Sequence, residues 1–180
     1  MFLLYNRGMK IPPAPKGYNT VNPFVFTKDA QKFISFAKEV FGAVERKEAF
    51  TLDNDGLILH SELELGNSVL MCVDTKPDWP ITPAFIQVYV KDVEKTLSVG
   101  ENLGAKIITK PTNFYGDTFS RMLDPFGNLW WIYQHNEAEV DWSGDSFTED
   151  EGADWDSSSD SLNYIHDTIM QVMPTLGKKD

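Results

Sequence analysis

The chain contains a single cysteine, Cys72, in 180 residues. This excludes an intrachain disulfide framework and a cysteine-rich zinc site, and it fits a reducing compartment, so a cytoplasmic location is expected. Long apolar runs are also missing. No stretch approaches the ~20 residues of a membrane span, and Phe2-Leu3-Leu4-Tyr5 is too short for the apolar core of a secretion signal. Positive charge is scarce at the end of the chain. Residues 136–180 carry two basic side chains against twelve acidic ones, whereas residues 1–135 are nearly balanced at fourteen and fifteen. The net charge of −11 therefore belongs to a tail, and it argues against nucleic acid and anionic membrane as partners. What is abundant is apolar matter: 42% hydrophobic and 13% aromatic residues, enough for one compact core or two fused half-domains.

Residues 1–16 read as an extension that ends in the stiff Ile11-Pro12-Pro13-Ala14-Pro15-Lys16. A strand pattern over Tyr18–Thr27 leads to Asp29, after which Ala30, Phe33, Phe36, Ala37, Val40 and Phe41 recur at helical spacing until Gly42. Strand-like runs over 44–51, 57–65 and 68–74 follow, with turns at Asp53-Asn54-Asp55-Gly56 and Gly66-Asn67. The order is βαβββ. It then repeats: a strand at Phe85–Val90, a helix carrying Val93, Leu97 and Leu103, and strands at 106–109, 118–123 and 129–135. Lys28-Asp29, Phe41-Gly42-Ala43 and Gly66-Asn67 find counterparts in Lys91-Asp92, Leu103-Gly104-Ala105 and Gly127-Asn128, at offsets of 63, 62 and 61. Modules over 17–80 and 81–136 are expected to make one domain, 17–136. Each has one helix for one sheet face, so the other face must find cover or enclose something. Residues 137–160 read as an acidic linker, and 161–180 as a C-terminal helix and tail with Leu162, Ile165, Ile169 and Val172 on one side.

The paired modules, together with Pro15-Lys16-Gly17-Tyr18-Asn19-Thr20-Val21-Asn22-Pro23, His60-Ser61-Glu62-Leu63, Gly66-Asn67-Ser68-Val69-Leu70-Met71, Tyr115-Gly116-Asp117 and Asp124-Pro125-Phe126-Gly127-Asn128-Leu129-Trp130-Trp131, resemble the vicinal oxygen chelate superfamily. That superfamily comprises glyoxalase, bleomycin-resistance and dioxygenase proteins, and the resemblance is strongest to its PhnB-like branch. It implies an α+β fold of two tandem βαβββ modules whose mixed sheets form a half-open barrel around a cavity, and a homodimer. It also implies, for metal enzymes of the superfamily, four ligands, one on the first and one on the last strand of each module. Here those places fall on Asn22, Phe85, Trp131 and Leu70, or Met71 after a slip of one. None is His or Glu, which undermines a chelated metal there.

Strand alternation supplies a separate reading of the cavity wall. Ile86, Val88 and Val90 are expected beneath the helix, leaving Phe85, Gln87 and Tyr89 toward the cavity. In the 57–65 strand Leu57, Leu59, Leu63 and Leu65 are expected in the core, with Ile58, His60, Glu62 and Glu64 opposite. Asn22, Phe24 and Phe26 share one face, as do Trp131, Tyr133 and His135. His60 and Glu62, an imidazole and a carboxylate at i and i+2, are the candidate catalytic pair. Arg121 is a candidate anchor for an anionic or carbonyl-bearing ligand, with a cross-strand salt bridge as its structural alternative. Asp124-Pro125-Phe126-Gly127 reads as a turn device. The acidic stretch ending at Glu62 does not match a calcium loop, because Thr51 stands where the first ligand belongs.

The function expected is binding of a small organic molecule in an aromatic cavity without a chelated metal or other cofactor, the mode of bleomycin-resistance-type sequestration. The alternative is a metal-dependent lyase, isomerase or dioxygenase with an ion at shifted positions such as His60, Glu62 and His135. A third reading makes the body a scaffold and the acidic tail a contact for a basic partner.

Overall fold

The structure, a computed structural model, describes residues 12–136 and 160–178. The first module runs β1 (Phe24–Thr27), α1 (Ala30–Phe41), β2 (Val44–Glu45), β3 (Thr51–Leu52), β4 (Ile58–Leu65) and β5 (Ser68–Asp74). The second runs β6 (Phe85–Tyr89), α2 (Val93–Asn102), β7 (Lys106–Phe114), β8 (Asp117–Leu123) and β9 (Leu129–Gln134), and α3 (Asp160–Val172) follows. The two sheets have the same topology, β1-β5-β4-β2 with β3 beside β4, and β6-β9-β8-β7. In each, the first strand runs parallel to the last and the other pairs are antiparallel. The chain is thus α+β with two βαβββ modules, as the repeat implies.

Local chemistry sets the helices. Asp29 caps α1 by accepting the Lys32 N–H at 3.1 Å, and Gly42 ends it in the left-handed region at φ 68°. Asp92 caps α2 through the Lys95 N–H at 2.9 Å. The apolar stripe of α1 then does more than cover its own sheet. Phe33 stacks on Trp130 with ring centroids 6.3 Å apart, Phe41 meets the same indole at 4.2 Å, and Phe36 meets Phe126 at 6.0 Å. Because α1 and α2 also contact each other, one core spans both modules. Each sheet turns its other face away from this core. Cys72, on β5, is fully buried, and burial pushes its thiol up to about 12.

Several expectations are corrected. The first strand begins at Phe24, because Asn19 and Asn22 close a turn on each other before it. The 44–51 run is split by a 3-10 turn at Lys47–Ala49. In β4, Leu59 is exposed and Ile58 is buried, the reverse of the alternation expected at that end. The reason is a bulge: Thr51 pairs with His60 but Leu52 with Ile58, so two residues of β4 face one of β3 and the phase flips. β7 continues to Phe114, past Pro111, with register shifts on either side of Thr109; an edge strand tolerates the missing N–H. Leu103 caps α2 from outside and is exposed, while Thr96 and Gly100 take the buried positions beside Val93 and Leu97. Residues 1–11 of the expected extension and 137–159 of the expected acidic linker lie outside the described residues.

The position of α3 was not legible from its pattern. It lies against β7, with Ile165, Thr168 and Val172 buried. Thr168 Oγ1 is 2.7 Å from Thr109 Oγ1, and the Tyr164 hydroxyl accepts the Lys110 N–H at 2.9 Å. Thr109 pairs with Arg121 on β8, so both side chains share a face, the one opposite α2. α3 therefore covers the β7–β8 half of the second sheet's open face.

Candidate functional site

Two aromatic surfaces result, one on each open face. On the first, sheet register places Phe24, Met71 and Glu62 in one row across β1, β5 and β4, with Phe26 beside Val73 in the next. Phe24 lies 5.2 Å from Phe26 and 6.3 Å from the His60 ring, and Trp79, from the loop after β5, meets Phe26 at 5.9 Å. Phe24, Phe26, Ile58, Leu59, Val73 and Trp79 wall a cavity of about 200 Å³, with Asp53, Asp74 and Lys76 at its edge. Lys76 pairs with both Asp53 and Asp55, so its ammonium balances the charge of the acidic turn.

The polar side of this surface is a hydrogen-bonded network centred on Glu62, which is 5% exposed. Its Oε2 accepts from the Tyr18 hydroxyl at 2.7 Å and from Arg46 Nη1 at 3.2 Å, and its Oε1 lies 3.1 Å from His60 Nε2. Arg46 also donates through Nε to Glu64 at 2.7 Å and stacks on Tyr18 at 4.8 Å. Burial pushes the Glu62 carboxyl up, but the hydrogen bonds from Tyr18, His60 and Arg46 outweigh it and hold the group below its ordinary 4.5. A carboxylate with three partners is a poor proton acceptor. His60 turns Nε2 to Glu62 and its ring lies beside Phe24 on the open face.

A lowered carboxyl has a definite stability signature. The contribution of Glu62 is complete above its ordinary 4.5 and is lost as pH falls through its lower folded value. Glu62→Gln is expected to be less stable than the parent near pH 7 and to lose less stability on acidification to about pH 3. Urea unfolding of both proteins at the two pH values checks this; parallel losses would refute it.

On the second face, Gln87, Trp131, Arg121 and Thr109 form one row across β6, β9, β8 and β7, and Tyr89, Tyr133 and Phe119 form another. Phe85 meets Trp131 at 5.8 Å, Tyr89 meets Tyr133 at 5.4 Å, and Tyr133 meets Phe119 at 4.9 Å. Phe85, Gln87 and Tyr89 are exposed, and Trp131 and Tyr133 half-buried.

Most of the residues picked from the sequence therefore gather, but on two faces. Phe24, Phe26, His60 and Glu62 share the first; Phe85, Gln87, Tyr89, Trp131, Tyr133 and Arg121 share the second. Asn22 falls outside β1 and spends its amide on Asn19. His135 lies just past β9, exposed, with Nδ1 2.8 Å from Asp117 Oδ1, and joins neither group. Arg121 has no salt bridge among the described residues; it reaches Ile165 of α3 instead. Sequence reasoning missed Tyr18, Arg46 and Trp79. For Arg46 the partner emerges only with the β2–β4 register, which sets it opposite Glu62.

The metal positions implied by the resemblance do not fit an ion. Phe85 and Trp131 offer no donor, Leu70 is buried in the core, and Met71, the open-face residue of that pair, offers only a thioether. The alternative set is split between modules, and no group of three or more His, Cys, Asp or Glu among the described residues is arranged to hold a metal.

Paired βαβββ modules with one aromatic open face each define a glyoxalase-like protein. A family model described as Glyoxalase/Bleomycin resistance protein/Dioxygenase superfamily matches residues 18–132, most of the chain, and the protein belongs to that superfamily. Among solved structures, the fold is shared with protein PA1353 from Pseudomonas aeruginosa, at 18% identity and a TM-score of 0.52 over 64% of this chain and 96% of that one. The fosfomycin resistance protein FosX from Listeria monocytogenes is similar at 13% identity and a TM-score of 0.52, covering 66% and 94%. A PhnB protein from Bacillus cereus matches at 16% identity and a TM-score of 0.47, covering 64% and 99%. Among curated proteins none matches the chain.

Proposed function

We propose that the protein binds a small organic molecule between aromatic side chains of its open faces, without a chelated metal, in the manner of sequestration rather than turnover. The observation that carries this reading is the composition of the faces: ring after ring at stacking distance, with donors and a half-exposed histidine among them but no convergent set of metal ligands among the described residues. On the first face Phe24 and Phe26 offer rings for stacking and His60 a polar group to orient a ligand; on the second, Phe85, Tyr89, Trp131 and Tyr133 offer the rings and Gln87 and Arg121 the polar groups. Exposed Phe24, Phe26, Leu59, Phe85 and Tyr89 also support a homodimer, in which a second copy covers these surfaces.

A thermal-shift screen with aromatic compounds and divalent metals, run beside elemental analysis, tests the reading. Stabilisation by aromatic compounds with sub-stoichiometric Zn, Ni, Mn and Fe is expected. One tightly held ion per chain would instead favour a metal-dependent lyase, isomerase or dioxygenase. A sedimentation mass equal to one chain would remove the dimer.

A further inference from the structure

Arg121 is the least satisfied charge in the described structure. It is 6% exposed, and its guanidinium lies 4.8 Å from the Phe119 ring centroid and 5.2 Å from that of Trp131. Only Nη1 is used: it donates to the Ile165 carbonyl at 2.7 Å and lies 3.3 Å from both Thr109 Oγ1 and Thr168 Oγ1. Nε is buried without any acceptor, Nη2 has none among the described residues, and no carboxylate there lies within ion-pair distance. Burial pulls the pKa down from the ordinary 12.5, yet a guanidinium stays charged, so an uncompensated cation sits in a largely dry site.

The free edge has a specific shape. Nε–H and one Nη2–H point the same way, the fork that receives both oxygens of a carboxylate. Its neighbours suit the rest of such a ligand. Trp131 and Phe85 offer ring faces, and the Gln87 amide and Tyr133 hydroxyl have no protein partner among the described residues. Burial raises the Tyr133 phenol, which keeps it a neutral donor.

We propose that Arg121 anchors a carboxylate-bearing aromatic ligand on the open face of the second module through its Nε–Nη2 edge. The inference rests on the small-molecule reading above and names its ligand class. The Ile165 carbonyl, a neutral acceptor, takes Nη1 alone and leaves the Nε–Nη2 edge, where a carboxylate makes a charge-assisted pair.

The test titrates the full chain with 1-naphthoate and with its neutral isostere 1-naphthamide, by equilibrium dialysis. Naphthoate is expected to bind at least about tenfold more tightly. Arg121→Met should erase the preference, and Arg121→Lys, which lacks the planar fork, should keep only part of it. Equal affinity for the two compounds, or a preference that survives in Arg121→Met, overturns this inference and leaves the small-molecule reading standing. No binding of either compound by the parent counts against both.

Discussion

Asp124→Ala is expected to lower the unfolding free energy by about 3–5 kcal/mol, in urea titrations near pH 7. The carboxylate is 4% exposed and serves four donors: Oδ1 accepts from the Phe126 and Asn128 N–H groups at 2.9 Å, and Oδ2 from Asn128 Nδ2 at 3.0 Å and Trp130 Nε1 at 2.9 Å. Asn128 in turn accepts the Ala84 N–H at 3.0 Å, which fixes the entry to β6. Truncation strands these donors in a site that water does not reach, and that penalty exceeds the worth of the bonds themselves. Asp124→Asn keeps the shape and one acceptor and should recover part of the loss. Burial raises the Asp124 carboxyl despite its four bonds, so its pH signature opposes that of Glu62: the contribution is full below the ordinary carboxylate value and declines as pH rises through the folded one. A loss under about 1 kcal/mol for the alanine variant would show that the turn is held by its backbone alone.

Trp130→Ala is expected to cost a similar amount, about 3–5 kcal/mol, for a different reason. The indole is completely buried and touches Phe33 and Phe41, so it belongs to β9 by sequence and to α1 by packing. Removing it opens a cavity at the joint between the modules, and calorimetry should show a broadened transition as their unfolding separates. Trp130→Phe keeps a ring but drops the donor to Asp124, for a smaller loss of about 1–3 kcal/mol. Because indole and carboxylate are hydrogen-bonded, the Asp124→Ala, Trp130→Ala double variant should lose less than the two single losses together. Strict additivity would mean the two act independently.

What could be read from the sequence was what local chemistry decides. The α1 stripe, its Asp29 and Gly42 ends and the repeated Gly-Asn turns follow from spacing within a dozen residues, and the two-module fold followed from their recurrence. The aromatic faces also followed where the strands are regular, as in β6, where Phe85, Gln87 and Tyr89 emerge together. The reading failed where a neighbour intervenes. The phase of β4 depends on the two-for-one pairing with β3, which nothing in Leu57–Leu65 encodes. The Glu62 network joins residues 18, 46 and 62 from three segments, and only tertiary register makes them partners. The apolar side of α3 announced that it would dock, while Thr168, a polar residue outside that stripe, determines where.

The packing of Cys72 has a practical corollary. A thiol with no solvent contact, its ionisation suppressed by burial, resists alkylation while the chain stays folded, so its modification by iodoacetamide clocks global opening. Maleimide dyes placed on an introduced surface cysteine, for instance on α3, would accordingly report from that single address without deleting the native one.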